Sequence, residues 1–210
     1  MKTMLAESAI DICQLSLPGV VIFPGMSLPL TVTAEKHLRV FENAWLSGHR
    51  VLLTSSSGEP NQKEIGCLVE IQVIHFGDDH IATAVLRGVN RQRFSSVQEA
   101  INIGEELQDI YESSKQSERL SKREQLLAAF HAKFPVFAEN QLLLPALENE
   151  LPFGTLCDVL AASCRLNAED YGRLLAAIDV DQRCELLMEI LLRNASPEPE
   201  SQFPPLFSLN

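Results

Sequence analysis

Leu15-Ser-Leu-Pro-Gly-Val-Val-Ile-Phe-Pro-Gly-Met-Ser-Leu-Pro-Leu-Thr-Val32 decides how this chain is read. Two short apolar, β-prone stretches flank a loop punctuated by Pro18-Gly19 and Pro24-Gly25, the dipeptides that turn a chain most readily. Pro29 lies inside the second stretch. Proline has no N–H to give to a ladder, so this strand is expected at a sheet edge. The loop presents Phe23, Met26 and Leu28, which either seal the end of a small β-structure or offer apolar contacts to an extended peptide lying along that edge.

Outward from this segment, Thr33 is expected to cap a helix over Ala34–Leu46. Leu38, Phe41, Ala44 and Trp45 recur at helical spacing, Glu35 suits the first turn, and Gly48 ends it. Further strands are expected at Ile12–Leu17, Leu28–Thr33, Val51–Thr54, Asn90–Val97 and Gly104–Tyr111. Ile65–Phe76 and His80–Leu86 form a long hairpin about Gly77-Asp78-Asp79. After Tyr111 the apolar period becomes helical, with stripes in Ser121–Phe134, Phe153–Ser163, Ala168–Ile178 and Gln182–Arg193, the last entered through Asp179-Val180-Asp181. The expected class is therefore α+β: a small β-barrel or sandwich with one inserted helix, followed by a helical bundle. The boundaries are 1–114 for the β-rich part, 115–195 for the bundle and 196–210 for a Pro-rich tail. The tail ends in Phe203, Leu206, Phe207 and Leu209, which dock on the protein itself, dock on a partner, or stay unfolded.

The 210 residues carry 17 Lys+Arg against 28 Asp+Glu, a formal charge of −11, and are 46% hydrophobic. The charge is uneven, −2 over residues 1–100 and −9 over 101–210. This composition buries a core and opposes long-range attraction to nucleic acid. No apolar run approaches the ~18 residues of a membrane span, and Glu7 and Asp11 interrupt any secretory apolar stretch, so a cytoplasmic location is expected. The five cysteines are scattered through apolar patterns, as buried thiols are in a reducing compartment. Cys157 and Cys164, two helical turns apart, are expected on one core face, and no metal site is expected.

Catalytic motifs are not found. There is no G-x-x-x-x-G-K-[ST], no G-x-G-x-x-G, no G-x-S-x-G and no H-E-x-x-H. His75 and His80 flank a hairpin turn without ligand spacing. Arg87, Arg91 and Arg93 form the one basic strip, a candidate phosphate-binding strand for the alternative of an RNA-binding protein. An enzyme on this scaffold would draw on His49, His75 or Glu70, though nothing in their spacing requires it.

Leu15-Ser16-Leu17, Val20-Val-Ile-Phe-Pro-Gly-Met-Ser-Leu-Pro-Leu30 and Glu35-Lys36-His37-Leu38-Arg39 together resemble the opening of the N-terminal domain of Lon proteases. The likeness continues through Glu64–Ile71, where Cys67 replaces a usual Thr, and through Val85–Phe94, Phe153–Leu166 and Asn167–Arg193, about residues 12–193 in all. It implies a PUA-like barrel with an appended helical bundle. It also implies a free-standing, non-enzymatic and cofactor-free module without the family's ATPase and peptidase. Such a module binds unfolded polypeptide or a protein partner, including a protease, as an adaptor or regulator of proteolysis, and it needs neither membrane nor nucleic acid. The expected peptide-binding residues are Phe23, Met26 and Leu28 for apolar contact and Glu35, Lys36 and Arg39 for orientation. Phe203, Leu206 and Phe207 are the expected tail-docking residues. An intrahelical Glu35–Arg39 ion pair is the competing reading of that polar trio.

Overall fold

Alternation in Ile65–Phe76 and its return strand builds the longest hairpin of the sheet. The computed structural model describes residues 12–55, 63–77, 80–97, 100–135 and 151–193. Its strands are β1 (Cys13–Ser16), β2 (Ser27–Val32), β3 (Arg50–Thr54), β4 (Lys63–Phe76), β5 (Ala82–Val97) and β6 (Ala100–Leu107). Helix α1 (Glu35–Ser47) lies between β2 and β3. After β6 a short 3-10 turn, Ser113–Lys115, leads into α2 (Gln116–Lys133), α3 (Phe153–Ser163), α4 (Ala168–Ala176) and α5 (Val180–Arg193).

The strand order is β1-β3-β4-β5-β2, with β6 also on β5. Among the strand pairs of the described residues, β1–β3 is parallel and the others are antiparallel. A parallel pair needs a crossover connection, which the segment containing β2 and α1 supplies, and α1 packs on β1 and β3. One edge of β5 runs along β4; the other is shared, with β2 on Ala82–Arg87 and β6 on Arg91–Val97. The sheet is mixed and open. β1 and β2 end its path without pairing to each other, so the expected closed barrel is not formed among the described residues. Closure requires the terminal strands to meet, and here β5's free edge is divided between two shorter strands instead.

Several boundaries differ from expectation: the last strand runs Ala100–Leu107 where Gly104–Tyr111 is expected, the first bundle helix begins at Gln116 and not Ser121, and α1 and β5 differ as well. Helix α1 is capped by Ala34, not Thr33, with no side-chain cap hydrogen bond, while Gly48 closes it with its N–H on the Ala44 carbonyl. The two expected strands over residues 80–97 are one continuous strand, because a register shift absorbs the break in alternation at Val89. That bulge decides which side of the sheet each residue faces. Before it, Ala82, Ala84 and Leu86 face the main core; Leu68 then pairs Asn90 while Val69 pairs Gly88, leaving Val89 as the extra residue. Beyond Val89 the parity is reversed, and Arg91 shares the core side with its partner Cys67.

The core is continuous across both halves of the chain. Leu15, Phe41, Val51, Val69 and Leu86 belong to the same buried cluster as Leu126, Phe130, Leu156, Leu174 and Leu187. Leu52, Leu68 and Phe94 are buried on the opposite face of the sheet.

Candidate functional site

The loop after β1 is shaped by glycine. Gly25 has φ +80°, the left-handed region that glycine enters without strain. Its N–H donates to the Gly88 carbonyl at 2.9 Å, and the Gly88 N–H donates to the Met26 carbonyl at 2.8 Å. These bonds lay the loop flat on β5. A Cβ at Gly88 would sit 2.2 Å from the Phe23 carbonyl oxygen, so the approach needs a residue without a side chain.

Phe23 is 1% exposed, and its ring centroid lies 6.2 Å from that of Tyr171. Its expected role as a peptide contact is corrected accordingly. The turn at Pro24-Gly25 folds the ring inward, where it seals the core against α4. Met26 and Leu28 are half-buried and pack partly on the core, so both retain open surface. Glu35, Lys36 and Arg39 are exposed on α1. Arg39 Nη2 lies 2.5 Å from Glu35 Oε1, with both side chains more than 70% exposed. That i,i+4 pair is worth only about 0.3–0.5 kcal/mol, so either partner is cheaply released to a ligand. Phe203, Leu206 and Phe207 lie outside the described residues.

The basic strip does not survive folding as one surface. Arg87 is exposed and opposite Glu70 on β4. Arg91 is 3% exposed; its Nη2 lies 2.7 Å from Asp158 Oδ1, and its Nε donates to the Leu175 carbonyl at 2.9 Å. Arg93 is partly exposed with Glu105 at 3.6 Å. The Arg91 guanidinium is thus spent within the fold.

Arg91 belongs to a four-residue ionic cluster where the sheet meets the bundle. Arg183 on α5 is fully buried, and places its guanidinium 3.2 Å from Asp158 Oδ1 and 2.5 Å from Asp109 Oδ1. Its Nε donates to the Ala177 carbonyl at 2.8 Å. Two guanidinium cations face two carboxylates, so the cluster is internally neutral and reads as structural. Burial pushes the Asp158 carboxyl above the usual carboxylate range, opposed by both arginines. Sequence reasoning missed this cluster. Its signal was a charged residue inside an apolar helical stripe, Asp158 in Leu156-Cys-Asp-Val-Leu160, because a charge on a buried face requires a partner.

A second ion pair ties α2 to α5. Arg119 Nη2 lies 2.7 Å from the buried Asp181, and its hydrogen bonding holds that carboxyl below the usual range. The sign follows from linkage: a depressed acid contributes stability above the ordinary carboxylate range and loses it as the pH falls through its depressed value. As the pH falls below about 4, the parent protein should therefore lose more unfolding free energy than the Asp181→Asn variant. Parallel slopes in acid urea titrations would remove this role. Arg119 and Arg123 also line a groove of about 720 Å³ with Leu120 and Phe153. Both arginines are already engaged, Arg119 by Asp181 and Arg123 by the Leu151 carbonyl.

Cys157 and Cys164 are both buried, as expected of a core face. Cys157 lies beside Cys184 of α5. Among the described residues no group of three or more His, Cys, Asp or Glu could hold a metal ion, and no helix is long and apolar enough to cross a membrane.

Residues 12–193 match the family described as the ATP-dependent protease La (LON) substrate-binding domain. The chain is 24% identical over 203 residues to the Lon protease of Halothermothrix orenii, covering 91% of this chain and 26% of that protein. It is 26% identical over 194 residues to the Lon protease of Escherichia coli, covering 87% and 24%. It thus spans about a quarter of the length of these relatives. Among solved structures, the N-terminal domain of Mycobacterium avium complex Lon protease superposes with a TM-score of 0.69 at 16% identity, covering 87% of this chain and 98% of that one. A Lon N-terminal domain protein from Xanthomonas campestris gives 0.53 at 20% identity, covering 85% and 96%.

Proposed function

We propose, because the chain belongs to the ATP-dependent protease La (LON) substrate-binding domain family, that it is a non-catalytic module recognising polypeptide substrates. The family match over residues 12–193 carries this reading. Support comes from half-buried Met26 and Leu28, which keep open surface for apolar contact, and from Glu35, Lys36 and Arg39, exposed on α1 for orientation. In this reading the sheet is the PUA-like part of the module, which works in the cytoplasm as an adaptor or regulator that delivers extended chains to a protease. The RNA-binding alternative is disfavoured by Arg91, whose guanidinium is held by Asp158 and the Leu175 carbonyl.

The test is fluorescence anisotropy of a labelled, permanently unfolded polypeptide and of a single-stranded RNA of similar length. Apolar contact makes binding salt-tolerant, so the polypeptide Kd should change less than about threefold between 50 and 200 mM salt, because screening acts only on its charged contacts. RNA binding through phosphate contacts would weaken by orders of magnitude over the same range. Binding to RNA alone, or to neither probe, would overturn the proposal.

A further inference from the structure

The outer edge of β2 has a hydrogen-bonding pattern that can be read from its register. The Gly88 N–H donates to the Met26 carbonyl one position before the Ser27–Arg87 start of the β2–β5 ladder, so Met26 turns its carbonyl toward β5 and Ser27–Arg87 is a non-bonded pair. Antiparallel partners alternate between bonded and non-bonded pairs. Leu28, Leu30 and Val32, opposite Leu86, Ala84 and Ala82, therefore turn their backbone groups toward β5. Ser27, Pro29 and Thr31 turn theirs away. The Thr31 and Thr83 hydroxyl oxygens, 3.3 Å apart, fit the closer side-chain approach of a non-bonded pair. Pro29 thus costs the ladder nothing: its missing N–H falls on the outer edge. β2 ends the sheet path, and no described strand pairs with that edge. Ser27 and Pro29 are exposed, and Thr31 is half-exposed.

The geometry points to this edge as the place where a substrate polypeptide adds itself as a further strand, read through its backbone. This deepens, and rests on, the polypeptide-recognition reading above. Ser27 and Thr31 each offer an N–H and a carbonyl, and Pro29 a carbonyl only, so a bound segment makes about five backbone hydrogen bonds and lacks the central one. The ligand class is an extended segment with free N–H groups at the alternate positions facing β2. Its intervening side chains on the core side lie beside Leu28, which favours apolar residues there. Pro29 has a second consequence. Without a central donor, two copies of this edge pair poorly with each other, as edge prolines ensure in other sheets.

Pro29→Val and Thr31→Pro test the edge with opposite signs. Pro29→Val adds the missing donor and should tighten the Kd for the unfolded polypeptide by about 2- to 10-fold, the worth of one hydrogen bond. Thr31→Pro removes an outward N–H without deleting a β2–β5 bond and should weaken binding by a similar factor. Both are measured by anisotropy at concentrations where the variant sediments as the parent does. Pro29→Val decides the matter even if Thr31→Pro fails to fold, since no merely structural role predicts a gain. An unchanged or weaker Kd for Pro29→Val, with a parent that binds, overturns the edge and leaves polypeptide recognition standing. Binding by neither protein overturns both.

Discussion

Asp158→Ala should lower the unfolding free energy by about 3–5 kcal/mol, read as a shifted midpoint in urea at unchanged slope. Asp158 is 2% exposed and lies 2.7 Å from Arg91 Nη2 and 3.2 Å from Arg183 Nη1. Removing its carboxylate leaves two buried guanidinium groups with only Asp109 between them, and Asp109 is 3.6 Å from Arg91. The cost is that of uncompensated charge, not of lost volume. Replacing Arg91, Asp158 and Arg183 together by Met, Leu and Met should therefore recover much of the loss, because apolar groups of similar size need no partner. Equal destabilisation by the single and triple variants would show that packing around Asp158, and not charge, is what matters. The same bonds join β5 to α3, α4 and α5, so the single variant should also loosen the bundle against the sheet, seen as faster amide exchange in α3 and α5.

Gly88→Ala should cost about 2–4 kcal/mol, although it adds a single methyl group. The new Cβ would lie 2.2 Å from the Phe23 carbonyl oxygen and 2.9 Å from its carbon. Both are backbone atoms, so no side-chain rotation relieves the overlap, and the loop must lift from β5. Lifting it breaks the Gly25–Gly88 and Gly88–Met26 hydrogen bonds and draws the buried Phe23 ring away from Tyr171. Gly77→Ala is the control: its Cβ meets nothing closer than 3.5 Å, and the cost should stay below about 1 kcal/mol. Chemical-denaturation midpoints for the pair check this, and a Gly88→Ala variant as stable as Gly77→Ala would rule out the close approach.

Much of the architecture was legible because it rests on local periodicity. The β4–β5 hairpin, the helical stripes after Tyr111 and the Gly48 stop of α1 each follow from residues near one another in the chain. Asp179 accepts from the Gln182 N–H at 3.0 Å, as its place before the last helix suggested. The edge position of β2 was legible from Pro29 alone. Thr33 misled as a cap because Ser, Thr, Asp and Asn are only preferred there, and the chain enters α1 one residue later. Of the residues expected to contact a peptide, Met26 and Leu28 are half-buried and Glu35, Lys36 and Arg39 are exposed, whereas Phe23 is buried. A Pro-Gly turn sets that a chain reverses but not which face its neighbours take.

What the sequence by itself determined is the element order, the change from β to helical periodicity near Tyr111, and the family motifs from Leu15 to Arg193. All are encoded in spacing along one chain. What only the tertiary structure decided is the side of the sheet on which each charge falls. The extra residue at Val89 is extra only relative to β4, so the reversal that carries Arg91 inward to Asp158 is a property of a strand pair. The same holds for the open edge of β2, since a strand's backbone groups are free or used only once its neighbours are in place.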